Sequence, residues 1–152
     1  MVSTEPLHFT EYSTRLAGYA LIVRDGQVLL SWYNGMGGSG TPCWSLPGGG
    51  IDYDEDLPMG VAREVHEESG YLVAVGRPLT TSTFTGEGPD GRPWKAVRVI
   101  FEAQVTGGSL GTLEVGGSTD HAAWLPIDRV ANEPAVADIV DLALRAHANL
   151  NA

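Results

Sequence analysis

The chain has 152 residues, 43% of them hydrophobic, and a formal net charge of −10 at pH 7. This length is enough for a proper core but short for two, so residues 1–152 are predicted to form a single domain. An acidic surface repels polyanions, which argues against duplex DNA or bulk RNA as a partner. A nucleotide would be repelled as well, unless a metal ion bridged it to the protein.

Cys43 is the only cysteine, so no internal disulfide is expected and the chain suits a reducing compartment. Residues 1–15 lack the basic start and apolar run of a secretory signal. No stretch of 18 apolar residues predicts a membrane span. We therefore expect a cytoplasmic protein without a membrane partner.

In chain order, the first predicted elements are two strands over residues 17–23 and 27–33. The pair Asp25 and Gly26 between these apolar runs is a strong hairpin signal. Residues 34–41 include four glycines and predict a mobile loop.

A short strand over 43–46 then leads into a glycine cluster at 48–50, which would let a ligand approach the backbone closely. The next helix is predicted to begin at Asp56, whose carboxylate suits the N-cap position. It should end near Ser69, because Gly70 favours the left-handed conformation that stops a helix.

Three glutamates, Glu64, Glu67 and Glu68, fall three and four residues apart on this helix and therefore crowd one face. An apolar stripe that would pack on a sheet consists of Leu57, Val61 and Val65. Glu64 and Glu68 lie at the edge of that stripe. Like charges at this spacing repel each other, so the pattern is most simply explained by a cation among them. Oxygen ligands favour Mg²⁺ first and Mn²⁺ second.

The remaining predicted elements are strand over 71–85 with a break at 77–78, a polar turn over 86–93, a strand over 94–105, a glycine-rich loop over 107–117, a short strand over 122–125 and an amphipathic helix over 133–150. Pro134 is expected in the first turn of that last helix. Strands on both sides of one helix, with a second helix at the end, predict an α/β (α+β) fold in which a mixed sheet lies between helices.

The segment 49–71 resembles the Nudix box, whose pattern is Gly, five residues, Glu, seven residues, Arg-Glu, an apolar residue, any residue, Glu-Glu, any residue, Gly and an apolar residue. Its positions are filled by Gly49, Glu55, Arg63, Glu64, Val65, Glu67, Glu68, Gly70 and Tyr71. Tyr71 is aromatic where an aliphatic residue is more usual. The family fold, a mixed sheet between helices, agrees with the fold predicted from the strand pattern.

The resemblance implies a hydrolase of diphosphate bonds that uses a divalent metal. Glu64, Glu67 and Glu68 are then expected as metal ligands, together with the carbonyl of Gly48, which precedes the box. Arg63 is expected to pair with Glu55 or Glu64 and to contribute to catalysis indirectly, by orienting them. An exposed acidic helix face is the alternative interpretation of these residues.

The general base is less well defined, because family members use either a box glutamate such as Glu64 or Glu67, or an acid from a later loop. The later candidates are Glu87, Glu114 and Asp120, each of which could also be a solvated loop residue. We favour Asp120. His66 and His121 are interpreted as incidental, because Mg²⁺ sites rarely need imidazole.

Residues outside the box bear on the substrate. Asn132 resembles a purine-reading asparagine of MutT-type nucleoside triphosphate pyrophosphohydrolases, but it could equally cap the last helix. Trp32 and Tyr33 could stack on a base or pack in the core. They lie where many members carry phosphate-binding arginines. Gly86 lies where ADP-ribose and dinucleotide enzymes carry Pro or Tyr, so those substrates are not supported.

The leading hypothesis is a metal-dependent pyrophosphohydrolase that cleaves a nucleoside diphosphate linked to another moiety. A MutT-type enzyme for oxidised purine nucleoside triphosphates is the alternative. A Nudix domain that senses nucleotides without catalysis is a second alternative, although degenerate box positions that would favour it are absent. A homodimer is conceivable from family habit.

Overall fold

The computed structural model describes residues 5–36 and 40–152, which form eight strands and three helices. The strands are β1 (Ser13–Leu21), β2 (Val23–Arg24), β3 (Gln27–Tyr33), β4 (Cys43–Ser45), β5 (Gly48–Gly50), β6 (Tyr71–Glu87), β7 (Pro93–Gly108) and β8 (Thr119–Pro126). The helices are α1 (Leu57–Ser69), α2 (Ile127–Val130) and α3 (Asp138–Leu150).

The strands form two sheets. In the first the order is β5-β1-β7-β6, with β1 and β7 parallel and the other neighbours antiparallel, so this sheet is mixed. In the second, β3 pairs antiparallel with β2, β4 and β8. Strand β1 therefore pairs on one side with β5, the glycine strand, which consists of three glycines, and on the other side with β7, which in turn pairs with β6.

Hydrophobic residues fill both faces of the sheets. Ala20 and Ile22 pack with Val61 and Val65 of α1, all at most 2% exposed. Leu21, between them in sequence, points the opposite way because strand side chains alternate, and it belongs to the cluster that includes α3. The sheets therefore lie between α1 and α3, which confirms the predicted α/β fold with a mixed sheet between helices.

The predicted hairpin at Asp25 and Gly26 is present between β2 and β3, and both residues have positive φ, 52° and 73°. The strand expected over 17–23 is divided, because β1 and β2 enter different sheets. Strand β6 continues through the predicted break, where its pairing with β7 shifts register around Pro78. Of the loop predicted over 34–41, residues 37–39 lie outside the described residues.

The prediction for the last helix is wrong at its start: α3 begins at Asp138, not at Glu133. The preceding segment is extended, because the Trp44 N–H donates to the Ala135 carbonyl and the Ala137 N–H donates to the Trp44 carbonyl. Val136 forms a parallel bridge with Trp44 in this segment. Val136 therefore matches the apolar spacing of a helix, although its backbone is extended and bridges to Trp44.

None of the helices in residues 5–36 and 40–152 has the length and apolar character that crossing a membrane requires.

Candidate active site

Helix α1 places the glutamates beside the glycine strand. Asp56 accepts a hydrogen bond from the Met59 N–H at 2.9 Å and caps the helix as predicted. Gly70 ends it with φ 80°. Because Val61 and Val65 are fully buried on the sheet, the rotation of the helix is fixed, and the acidic edge faces β5.

Glu68 is the most buried carboxylate of this edge, with only 6% of the residue exposed. Its Oε2 accepts a hydrogen bond from the Gly48 N–H at 2.9 Å, and its Oε1 accepts one from the Thr119 hydroxyl at 2.8 Å. Burial raises the pKa of Glu68 to about 8, and the charges of Glu64 and Glu114 act in the same direction. The two hydrogen bonds oppose that shift.

Glu64 lies over the next glycine of the strand. A Cβ on Gly49 would stand 2.9 Å from the Glu64 Cδ and 3.0 Å from both carboxylate oxygens, so only glycine leaves room for this side chain. Burial raises the pKa of Glu64, while the hydrogen bond from Arg63 lowers it. Two carboxylates of α1 therefore rest directly on the backbone of β5.

Arg63 is the centre of an ion-pair network that orients the box glutamates. Its guanidinium contacts both oxygens of Glu55, lies 3.1 Å from Glu64 Oε1 and 3.4 Å from Glu67 Oε2, and donates to the Gly50 carbonyl at 3.1 Å. The hydrogen bonds from Arg63 lower the pKa of Glu55 to about 2. Arg63 thus pairs with both of the predicted partners, Glu55 and Glu64.

The donor set fits a hard divalent cation. Beyond the effect of burial, the negative charge of Glu114 raises the pKa of both Glu64 and Glu68, and the charge of Glu64 raises the pKa of Glu68, so negative charge accumulates in the site. Among the described residues, no three carboxylate, imidazole or thiol side chains stand at metal-binding distance from one another as they lie. Glu64 and Glu67 contact Arg63, so their side chains would have to rotate to bring their oxygens to an ion beside Glu68.

The candidate bases are placed differently from one another. Glu114 lines the same cavity as Glu64 and Glu68, and its Oε1 accepts a hydrogen bond from the Thr119 N–H at 2.7 Å. Asp120, the residue we favoured, is exposed and accepts a hydrogen bond from Asn34 Nδ2 at 2.8 Å. The pairing of β8 with β3 shifts register here: Thr119 is opposite Tyr33 and His121 is opposite Trp32, so Asp120 is an extra residue without a partner on β3. Asp120 is not among the described residues that line the cavity.

Glu87, at the end of β6, is exposed and does not line the cavity that the described residues enclose. Neither His66 nor His121 belongs to the cavity wall formed by the described residues, and His121 packs against Trp32 and Trp44.

The candidate substrate residues are separated. Tyr33 lines the cavity, whereas Trp32 points to the other face of β3, where it stacks on His121 and meets Trp44 edge to face. Asn132 is exposed after α2 and is not part of the cavity wall formed by the described residues. It does not cap the last helix either, since Ala137 holds that position without a side-chain hydrogen bond.

The cavity that joins these parts has a volume of about 920 Å³. Its wall includes several residues that the sequence interpretation missed, namely Arg15, Tyr19, Phe84, Trp94 and Thr119. None of them belongs to the box, and they come from strands distant in sequence. Alternation along a predicted strand could have flagged their common face, but not which strands lie side by side.

A comparison with family models matches the NUDIX domain over residues 14–144, which includes both sheets, α1 and most of α3. The chain belongs to the Nudix family. Nudix hydrolases act on diphosphate bonds, in agreement with the carboxylate and glycine arrangement of the site.

Nudix relatives named for specific activities share parts of the chain. An 8-oxo-(d)GTP phosphatase of Mycolicibacterium smegmatis is 33% identical over 90 residues, which cover 59% of this chain and 26% of that protein. This match thus spans about a quarter of the relative. A MutT-like protein of Streptomyces ambofaciens is 31% identical over 133 residues, covering 88% of this chain and 73% of that protein.

The Nudix fold is also found in solved structures. A MutT NUDIX hydrolase from Burkholderia pseudomallei superposes with a TM-score of 0.69 at 26% identity, covering 88% of this chain and 98% of that chain. The two proteins therefore share the same overall fold.

Proposed function

We propose that the chain is a divalent-metal-dependent pyrophosphohydrolase that cleaves a nucleoside diphosphate linked to another moiety. The observation that carries this proposal is the position of Glu68, a buried carboxylate held by the Gly48 N–H beside Glu64 in an open cavity. A buried, partly uncompensated carboxylate is costly for stability, so its place at a cavity wall supports a role in binding a cation.

In this proposal Glu64, Glu67 and Glu68 hold the metal, with the carbonyl of Gly48 as a further ligand. Mg²⁺ is the expected ion and Mn²⁺ the alternative, since all donors are oxygens. Bound there, the ion would neutralise the phosphate oxygens and lower the pKa of a coordinated water. Arg63 orients the glutamates through its contacts with Glu64 and Glu67.

Glu114 is a better candidate for the general base than Asp120. Its carboxylate lines the cavity, accepts the Thr119 N–H and lies close enough to Glu64 and Glu68 to influence their pKa. A general base must reach the water that it deprotonates, and position decides before pKa does. Glu67, which also lines the cavity, is the alternative from the box itself.

A MutT-type activity on purine nucleoside triphosphates is the second candidate, because the similar proteins include an 8-oxo-(d)GTP phosphatase and a MutT-like protein. Asn132 would read the purine in that case. Its exposed position outside the cavity wall of the described residues supports this role less than the sequence pattern does.

The test is a substrate panel of nucleoside di- and triphosphates including 8-oxo-dGTP, nucleotide sugars, dinucleotides and CoA, each assayed with Mg²⁺ and with Mn²⁺. We expect hydrolysis of at least one diphosphate and a loss of roughly a hundredfold or more in Glu68→Gln, because the ion supplies several kcal/mol of charge stabilisation. Glu133→Gln, which changes a glutamate after α2, is the matched control. Binding of nucleotides without turnover of any would favour the sensor alternative instead.

A further inference from the structure

Arg15 is an exposed cation that lines the cavity of an acidic protein. The chain has nine Lys and Arg residues against a net charge of −10, and Arg63, Arg77, Arg98 and Arg145 each pair with a carboxylate. Arg15 forms no ion pair or side-chain hydrogen bond within residues 5–36 and 40–152, and it lines the cavity. It is the only Lys or Arg among the cavity-lining residues that the structure describes.

The register of the first sheet places two aromatic rings on the same face as Arg15. In the pairing of β1 with β7, Arg15 is opposite Ala96, and in the pairing of β6 with β7, Phe84 is opposite Ala96 as well. Trp94 is two residues from Ala96 on β7 and therefore points to the same side. All three long side chains line the cavity around the small, fully buried Ala96.

The cavity joins this face to the carboxylate site around the edge of the sheet. Gly49, on which Glu64 rests, is opposite Gly18 and therefore faces away from Arg15, but β5 is the edge strand, and both Arg15 and Glu64 line the one cavity. Adjacent strands are about 4.8 Å apart, so this face spans roughly 14 Å. A Cβ on Gly50 would lie 3.8 Å from the Arg15 Nη2, so the guanidinium stands next to the metal-binding strand.

The aromatic end is built for a flat ligand group. The Phe84 and Trp94 rings meet edge to face at 5.3 Å, and a Cβ on Gly86 would lie 2.9 Å from Trp94 Cζ2, so one side of the indole rests on backbone. The Arg98 guanidinium lies 5.0 Å from the centre of the Phe84 ring and fixes that ring from another side. Held rings of this kind stack on any nucleobase.

We propose that Arg15 binds a phosphate of the substrate and that Trp94, supported by Phe84, stacks on its base. This inference rests on the proposed function and assigns one residue to the phosphate chain and another to the base of the nucleoside diphosphate. Guanidinium groups bind phosphate through paired N–H donors. Arg15 would therefore supply from β1 the phosphate contact that arginines on β3 supply in many family members. The phosphate chain then runs from β5 toward β1 while the base lies over β7 and β6.

The test is calorimetric titration in Mg²⁺ with three probes: α,β-methylene-ADP, which carries both groups, methylenediphosphonate, which carries only the phosphates, and adenosine, which carries only the base. Arg15→Gln should weaken the first two probes about tenfold, the effect expected for one charge-assisted hydrogen bond, and leave adenosine unchanged. Trp94→Ala should weaken α,β-methylene-ADP and adenosine about tenfold and leave methylenediphosphonate unchanged.

Two conservative variants and one control keep the result interpretable. Arg15→Lys should recover part of the phosphate affinity. Trp94→Phe should keep the base affinity, which separates the loss of stacking in Trp94→Ala from any disturbance of the β6-β7 pair. Arg129→Gln removes an exposed guanidinium of α2, outside the cavity wall, and should change nothing. If Arg15→Gln bound each of the three probes as tightly as wild type does, the phosphate-binding role of Arg15 would be overturned. A loss of adenosine affinity in Arg15→Gln would overturn the assignment of the phosphate to Arg15 and of the base to Trp94.

The outcome separates this inference from the proposed function. Hydrolysis that is lost in Glu68→Gln, with probe binding unaffected in Arg15→Gln and Trp94→Ala, would leave the enzyme assignment in place and reject the inference. Probe-selective losses in a protein that hydrolyses no diphosphate would support the inference and reject the enzyme assignment.

Discussion

Thr119 and Glu68 are joined by a hydrogen bond of 2.8 Å from the threonine hydroxyl to Glu68 Oε1. The other oxygen of the same carboxylate accepts the Gly48 N–H at 2.9 Å. Strands β8 and β5 thus hold the helix glutamate from two sides. Residues that fix the orientation of a metal ligand commonly matter almost as much as the ligand itself.

Thr119→Val should therefore weaken metal binding while preserving shape. The valine has nearly the same volume as threonine but cannot donate to Glu68, so we expect the affinity for Mn²⁺ to fall roughly ten- to a hundredfold. Thr119→Ser should keep most of the affinity. Titration with Mn²⁺ followed by electron paramagnetic resonance measures this. Thr85→Val changes an exposed threonine of β6 and is the control. Equal losses of Mn²⁺ affinity in both valine variants would contradict the orienting role of Thr119.

Gly49→Ala should disable the site without unfolding the protein. The added methyl group would stand 2.9 Å from Glu64 Cδ and must push the carboxylate aside. A displacement of about 1 Å can cost on the order of a hundredfold in rate. We expect a loss of that size in diphosphate hydrolysis, with thermal unfolding little changed. Gly111→Ala is the matched control, because an added Cβ there meets nothing within 4 Å.

Gly60→Ala should destabilise the fold, although helix propensity alone predicts a gain of about 1 kcal/mol. A Cβ at this position would lie 2.5 Å from Ile51 Cδ1 and 2.8 Å from Glu55 Oε1. Crowding of this kind typically costs about 1–3 kcal/mol. Urea unfolding gives the free energy directly, and a stabilised variant would show that Ile51 and Glu55 move aside freely.

The parts of the molecule that sequence predicted well are those whose causes are local. Helix α1 begins at Asp56 and ends at Gly70 because the cap and the left-handed stop act within one turn of the helix ends. The pairing of Arg63 with Glu55 and Glu64 follows from their positions in one segment. The family resemblance then suggested Glu64, Glu67 and Glu68 as metal ligands through that same segment, and this role stays a proposal.

The parts that sequence did not predict depend on contacts between distant strands. The true start of α3 reflects the bridge between Val136 and Trp44, which no helical periodicity reveals. The choice between Glu114 and Asp120 depends on the register shift between β8 and β3, which leaves Asp120 without a partner on β3, and on the cavity wall of the described residues, which includes Glu114 and not Asp120. Arg15 and Trp94 become neighbours only because β1 pairs in parallel with β7, a topology that local patterns leave open.

The ion pair between Arg98 and Asp138 should make stability depend on pH. Arg98 Nη2 lies 3.1 Å from Asp138 Oδ2, and hydrogen bonds from Arg98 lower the pKa of Asp138 below its ordinary value of 3.8. A carboxyl whose pKa is lowered by folding contributes stability above its unfolded pKa, and this contribution disappears as pH falls through the folded pKa.

Asp138→Asn should therefore be less stable than wild type at pH 7, and the difference should shrink as pH falls below the unfolded pKa and through the lower folded pKa. The difference at pH 7 should not exceed about 1 kcal/mol, because the Asp138 side chain is 80% exposed and solvent screens the pair. Urea unfolding at pH 7, 5 and 3 tests this. Asp128→Asn is the control, as Asp128 forms no ion pair within the described residues. A difference independent of pH would assign the effect to packing.

Substitutions at Glu114 and Asp120 should separate the two candidate bases. Glu114 lies on the cavity wall and is anchored by the Thr119 N–H, whereas Asp120 accepts from Asn34 away from the carboxylates. If Glu114 collects the proton, Glu114→Gln lowers kcat by roughly a hundredfold or more, the usual range for a general base. Asp120→Asn should stay within about twofold of wild type. Steady-state kinetics at saturating Mg²⁺ measures both, and Mn²⁺ titration of Glu114→Gln distinguishes a lost base from a lost ligand. A large kcat loss in Asp120→Asn alone would restore the assignment favoured from the sequence.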